Sequence, residues 1–259
     1  ENVAIINNGG SGIVGQSGSM TVAASSVTGN GLNGIEFDGI SKAVVTDTTI
    51  SGNGIGGTPA SADGIQLNNA VDVTVGGSTI SGNAKAGIRS TNSDTVAVSN
   101  NVITGNGAVG VVVDGGVGNS ILSNSIYANA LLAATTADGI SLRNGGNADQ
   151  AAPVIDTAAF LDGRIAVTGT LTLPDRYTGD YRIQVFFNPS TTASSVQGQQ
   201  LLGTIVVNFA DERTKDFSGA FVSVPSSPGN YVTATATPST GDLNTSEFSV
   251  PRVIGPVQL

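Results

Sequence analysis

The chain has 259 residues, room for one large β domain or two ordinary ones. Only 11% of residues are charged and the net charge is −9, an acidic, Lys-poor balance that repels phosphate backbones and anionic membrane surfaces, so neither nucleic acid nor membrane is an expected partner. Cys, His and Trp are all absent, which removes a disulfide framework, a Cys-based zinc site, a Ser-His-Asp triad and the commonest general base together.

In chain order, the first 150 residues repeat a short phrase. Thr49-Ile50-Ser51-Gly52-Asn53, Thr79-Ile80-Ser81-Gly82-Asn83 and Val102-Ile103-Thr104-Gly105-Asn106 are each followed by a Gly-Ile or Gly-Val pair. The Asn of the phrase stands at Asn8, Asn30, Asn53, Asn83, Asn106 and Asn129, in steps of 22, 23, 30, 23 and 23 residues. A period near this length marks a solenoid in which each repeat is one coil. The runs between are β-rich (Val71-Asp72-Val73-Thr74-Val75, Thr95-Val96-Ala97-Val98), and Gly and Asn recur at spacings that suit tight corners. Rungs this short leave no room for a helix. The sequence therefore predicts a parallel β-helix of about six rungs over residues 1–150. The Asn column is expected to be an internal ladder, each amide bonding to the corner of the next rung.

The segment 151–162 breaks the repeat and carries Pro153, so it is read as a linker. Residues 163–259 hold most of the remaining aromatics, ten in all after Phe37 and Tyr127. They read as short strands: Arg164–Thr172, Tyr181–Asn188, Gln200–Phe209, Ala220–Val224, Tyr231–Thr237 and Glu247–Val253. Turn signals such as PDRYTGD and SSPGN separate them. This spacing predicts an antiparallel β-sandwich, Ig-like in architecture.

The phrase TISGN…GI with a following V-x-V strand resembles the right-handed parallel β-helix repeat of pectate-lyase-like and NosD-like bacterial proteins, over about residues 1–145. The ending YVTATATPSTGDLNTSEFS resembles the β-sandwich that follows such repeats in many bacterial exported proteins. The resemblance implies the fold; the family spans lyases, hydrolases, epimerases, adhesins and phage spikes, so it implies no single activity. Pectate-lyase-like enzymes use acidic residues for Ca²⁺ and an Arg as base on one sheet face. No position here matches them residue by residue.

Alignment on the Gly-Ile pair predicts two outward columns on one sheet, because side chains alternate along a strand. The first is Val14, Glu36, Gln66, Arg89, Val112, Ser141 and the second is Gln16, Asp38, Asn68, Thr91, Asp114, Arg143. Glu36 and Asp38, roughly 7 Å apart on one strand, have the separation of an acid and base flanking a glycosidic bond, with Arg89 two rungs away. They are the candidate catalytic residues, against a solvated sheet face as the plainer reading. Asp63 and Asp138 each close an insertion in a rung, and the two insertions would wall a shallow trough floored by Lys85 and Arg89. Asp63, Lys85, Arg89, Asp114 and Asp138 are the candidate ligand contacts, against ordinary loop variation. That trough has no aromatic platform. No resident cofactor or metal is expected; Ca²⁺ at Asp211, Glu212 and Asp216 stands against a solvated hairpin turn there. Asn244-Thr245-Ser246 fits the glycosylation sequon.

The chain opens at Glu1 without Met, enters a rung almost at once, and reads as a processed or excised piece whose first rung continues an upstream coil or is covered by another subunit. No run of about 18 apolar residues predicts a membrane span. The functional expectation is an extracellular or cell-surface structural and adhesive module, part of a longer exported bacterial-type protein or assembly, with a glycan or a surface protein as partner. A polysaccharide-active enzyme (a lyase or epimerase on acidic glycans) is the first alternative. A self-assembling fibre subunit, a homo-oligomer or filament, is the second.

Overall fold

The computed structural model describes residues 1–54, 62–130, 139–161, 163–190, 196–222 and 229–256. Its first part is a parallel β-helix of three sheets. One sheet stacks Ala4–Ile6, Ser26–Thr28, Thr49–Ser51, Thr79–Ser81, Val102–Thr104 and Ser125–Tyr127. A second stacks Ile13–Gly15, Ile35–Asp38, Ile65–Asn68, Ile88–Thr91, Val111–Asp114 and Ile140–Arg143. The third stacks Ser19–Ala23, Lys42–Thr46, Val71–Gly76, Asp94–Ser99 and Ser120–Leu122. Six strands on two faces and five on the third make about five turns, where the repeat count alone predicted six rungs.

The corners explain the repeated phrase. Gly29, Gly52, Gly82 and Gly105 sit at φ +62 to +65, the left-handed region a Gly enters without a Cβ penalty. Each turns the chain so that the next residue, the ladder Asn, points inward. Asn83 Oδ1 accepts from the N–H (3.1 Å) and the Nδ2 (2.9 Å) of Asn53. Its own Nδ2 donates to Ile50 O (3.2 Å) and to Asn106 Oδ1 (2.9 Å). Every polar atom of the buried amide is therefore satisfied. The same pattern links Asn8, Asn30, Asn53, Asn83, Asn106 and Asn129, so the expected ladder is present.

Two further ladders occupy the other corners. Ser25, Thr48, Ser78, Asn101 and Asn124 each follow a left-handed residue, and each accepts a backbone N–H from the rung before. Ser93, Asn119 and Asn147 form the third. Between the corners, Val27, Ile50, Ile80, Ile103 and Ile126 stack on one inner face. Ile35, Ile65, Ile88, Val111 and Ile140 stack on the next.

The Gly before each of those Ile residues has another role. A Cβ on Gly64 would lie 2.6 Å from Gly87 O and 2.7 Å from Asn83 Nδ2. This column is glycine because adjacent corners pass too close for a side chain.

Among the described residues the C-terminal part is one curled antiparallel sheet, with no second sheet packed on it. Val154–Leu161, inside the stretch read as linker, is its first strand and pairs with the start of Arg164–Asn188. The far half of that 25-residue strand pairs with Tyr231–Pro238, and Gln200–Val222 runs along its whole other side. Arg252–Val253 adds a short edge. The Ig-like sandwich of six separate strands is corrected on this point. PDRYTGD was read as a reversal. It is a bulge instead: Thr172 pairs with Thr214 and Tyr177 with Glu212, leaving Leu173–Arg176 opposite Arg213. Pro174 has no N–H for the ladder, and a bulge is where a strand tolerates it. Curling lets the sheet bury Ile165, Val167, Ile183, Val185, Phe209 and Ala234 on its own concave face.

The two parts are joined by the last coil. Gln197 takes the next place in the Asn ladder: its Oε1 accepts from Asn129 Nδ2 (3.0 Å) and its Nε2 donates to Asn129 O (3.2 Å). Thr245 Oγ1 accepts from Ile121 N–H, Glu247 Oε1 from Leu142 N–H, and Phe248 packs on the helix core. Backbone groups left open by the final turn are thus covered by the segments around 197–199 and 244–249. The sequon residues Thr245 and Ser246 are fully buried in this cap.

Candidate functional site

The second sheet carries both expected outward columns in the expected register. Val14 lies beside Glu36, Glu36 beside Gln66, Gln66 beside Arg89, Arg89 beside Val112 and Val112 beside Ser141. Asp38, Asn68, Thr91, Asp114 and Arg143 line up in the same way. Gln16 falls outside the strand.

The first column is knitted together. Glu36 Oε2 accepts from Ser11 Oγ (2.8 Å) and Asn33 Nδ2 (3.1 Å). Asn33 Nδ2 also donates to Gln66 Oε1 (2.6 Å), and Asn33 Oδ1 accepts from Asp63 N–H (2.9 Å). Asp63 is 2% exposed. One of its oxygens accepts from Ala86 N–H and the other from Arg89 Nε, both at 2.8 Å. The buried carboxylate is thereby paired and bonded on both oxygens, the condition for tolerating a charge there. Asp63 fixes Arg89 on the sheet. Sequence reasoning named Asp63 and Arg89 together as ligand contacts but missed Asn33, which joins Asp63 to Glu36 and Gln66. Asn33 stands immediately before the Gly-Ile pair, where Asp63 stands one rung on, and that shared position was the available signal.

The second column is more open. Asp38 is exposed, Asn68 and Thr91 are half-buried, and Asp114 accepts from Asn144 Nδ2 at 2.6 Å. Further along, Val112 and Ser141 are buried on what was expected to be a solvated face, with Val112 packed against Ala86 and Val109. Lys85 is half-buried at the corner, its N–H donating to Ala62 O and its carbonyl accepting from Ala108 N–H. Asp138, and most of the two insertions expected to wall a trough, lie outside the described residues.

The calcium candidates lie within the strand Gln200–Val222, not on the hairpin turn that was expected. Each already has a partner. Arg176 donates to Asp211, and Thr170 Oγ1 lies 3.2 Å from Asp216 Oδ1. Lys215 lies 2.7 Å from Glu212, and with the Ala210 N–H it holds the Glu212 carboxyl below its usual range. Among the described residues no cluster of three acidic side chains could hold a metal ion.

A repeated coil of this length, three parallel sheets and stacked corner amides define a β-solenoid. The chain belongs to the right-handed β-helix region family, which it matches over residues 1–151. No curated protein sequence matches it. Solved structures similar to it include full-length tailspike protein 2 of Escherichia coli O157:H7 bacteriophage CAB120, at 13% identity and a TM-score of 0.32. That alignment covers 94% of this chain and 47% of the other. The enzymatically active domain of bacteriophage CBA120 tailspike protein 2 aligns at 15% identity and a TM-score of 0.29, covering 94% and 52%. A tailspike protein from Acinetobacter baumannii bacteriophage Fri1, a capsular polysaccharide depolymerase, aligns at 10% identity and a TM-score of 0.15, covering 89% and 57%. The chain thus spans about half the length of these proteins, and likeness at these scores says nothing of its chemistry.

Proposed function

We propose that the chain is a rigid structural and adhesive module of an exported, surface-exposed protein, whose second β-helix sheet holds an extended glycan without cleaving it. The observation that carries this reading is the bonding of the acidic residues. Glu36 accepts from two side chains, and Asp63 is locked between Arg89 and the Ala86 N–H. Both carboxylates are thus committed as acceptors to neighbouring groups of the sheet and its corners. What faces outward is a row of hydrogen-bonding groups, Asp38, Asn68, Thr91 and Asp114, repeated once per rung at ~4.8 Å. A polymer lying along the helix axis meets one such group per rung. Arg89, its Nε fixed by Asp63, turns the rest of a guanidinium toward the same face as the site for an acidic sugar. Lys85 sits on the neighbouring corner and adds charge.

The second reading is a lyase or epimerase on acidic glycans. It draws on Asp38, an exposed carboxylate two residues from Glu36 with Arg89 on the same face. Incubation with acidic and neutral polysaccharides, with and without Ca²⁺, separates the two. Co-elution with a polymer whose chain length is unchanged, lost in Arg89→Ala with Lys85→Ala, is the expected result. Shortened polymer that survives in Asp38→Asn overturns both readings of the site. Shortening abolished by Asp38→Asn makes the protein an enzyme.

A further inference from the structure

A small cavity at the junction of the helix and the curled sheet is built from two irregular segments. The first is the turn Gly146–Asp149, where Asn147, Ala148 and Asp149 lie consecutively at φ 50, 51 and 49. The left-handed region is sterically unfavourable for L residues, and runs of it are rare. Asn147 is buried and anchored by the corner ladder, which accounts for it. Ala148 and Asp149 are exposed and have no such anchor. The second segment is the bulge Leu173–Arg176. Between them lies a cavity of about 170 Å³, bordered by Asp149, Gln150, Pro174, Asp175, Arg176, Tyr177 and Tyr181.

The chemistry of its walls is mixed. Tyr181 is buried, donates its hydroxyl to Gln150 Oε1 (3.1 Å), and meets Tyr177 edge-to-face with ring centroids 5.1 Å apart. Tyr177 is half-buried, so one large ring borders the cavity from a rigid backing. Asp149 and Asp175 have no hydrogen-bond or ion-pair partner among the described residues, whereas Arg176 is bonded to Asp211. The volume is well below the several hundred Å³ of a drug-sized site, and suits one ring.

We propose that this junction cavity binds a single uncharged pyranose unit of a glycan. Tyr177 and Pro174 supply an apolar wall for the C–H face of the sugar, and Asp149 and Asp175 accept hydrogen bonds from its hydroxyls. Two unpaired carboxylates repel a uronate, so the ligand class here is opposite to the acidic glycan assigned to Arg89. The helix half has no aromatic on its polar sheet face; the fold places one at the junction instead. This site stands whether or not the Arg89 face binds anything.

The test uses the full chain, with tyrosine ring resonances followed by NMR. The probes are methyl glucoside, methyl galactoside, methyl mannoside and the methyl glycoside of N-acetylglucosamine, against glucuronate and methylammonium. At least one neutral glycoside is expected to shift the Tyr177 ring signals with saturation in the millimolar range. Asp175→Asn, on an exposed bulge, should weaken that binding about tenfold, and Tyr177→Leu, read from the Tyr181 ring signals, should abolish it. Arg89→Ala should leave it unchanged. The proposal is overturned if no neutral glycoside shifts the ring signals, if glucuronate or methylammonium binds as tightly, or if Asp175→Asn binds like the parent.

Discussion

Gly87 shows how single atoms set this sequence. A Cβ there would fall 2.6 Å from Ile103 Cγ2, 2.7 Å from Gly110 O and 3.0 Å from Asn106 Nδ2. None of these is the loose end of a flexible side chain. Gly87→Ala should therefore lower stability by about 2–3 kcal/mol in denaturant unfolding, as overpacking does. An unchanged midpoint would show that the corner yields more readily than its contacts indicate. Tyr181 makes a pH-dependent contribution at the same scale. Burial first, and Tyr177 second, push its phenol from 10.0 up to about 12, against the lowering effect of its bond to Gln150. An unfolded chain releases this proton above pH 10, while the folded protein keeps it. The contribution is present in full below the unfolded value and is lost as pH rises through about 12. It amounts to about 3 kcal/mol. The difference in unfolding free energy between the parent and Tyr181→Phe, followed from pH 9 to 12, should shrink over that window; a flat difference would count against it.

At the scale of the element, the corner ladders join rungs that sheet pairing alone would leave with open turns. Asn83→Ala deprives Asn53 of an acceptor for both its N–H and its Nδ2, and removes a side-chain donor from Ile50 O. Each orphaned buried group costs about 1–3 kcal/mol, and partial relaxation should bring the total to about 3. Amide exchange should accelerate first at Asn53 and at neighbouring corners, not uniformly. Uniform acceleration would mean that the coil unfolds as one unit and the ladder gives no local stability. The bulge Leu173–Arg176 teaches a related lesson in the curled sheet. Pro, Asp and Gly together look like a reversal in sequence. The flanking strands nevertheless continue in one direction, because Gln200–Val222 pairs with both halves and carries its own irregularity at Asp211, φ 59.

For the whole molecule, the decisive contact is the cap. Gln197 extends the Asn ladder by one position from a segment some 70 residues downstream, and Glu247 and Thr245 satisfy N–H groups of the last turn. Gln197→Ala combined with Glu247→Ala should leave the curled sheet folded while exposing amides at Asn129 and Leu142 to exchange. The expected loss is about 2–4 kcal/mol, read as a lower and less cooperative thermal transition. Retained protection at both amides would show that Phe248 packing alone seals the end.

The sequence by itself determined the coil. Its period, its ladder Asn and the alternation within its short strands are local and repeated, so each rung restates the same instruction and the outward columns can be aligned by eye. Glu36 beside Gln66 and Asp38 beside Asn68 followed from that alignment. What the tertiary structure decided is everything that depends on a single, unrepeated contact. No local pattern could tell that Asn33 joins Glu36, Gln66 and Asp63 into one network, or that Val112 is buried on a face read as solvated. Nor could it tell that Gln197 is the ladder's next member, or that an apparent turn at Pro174 is a bulge that curls one sheet. Periodicity amplifies a weak local preference over six repeats; a contact made once between distant segments has no such amplification and is fixed only by packing.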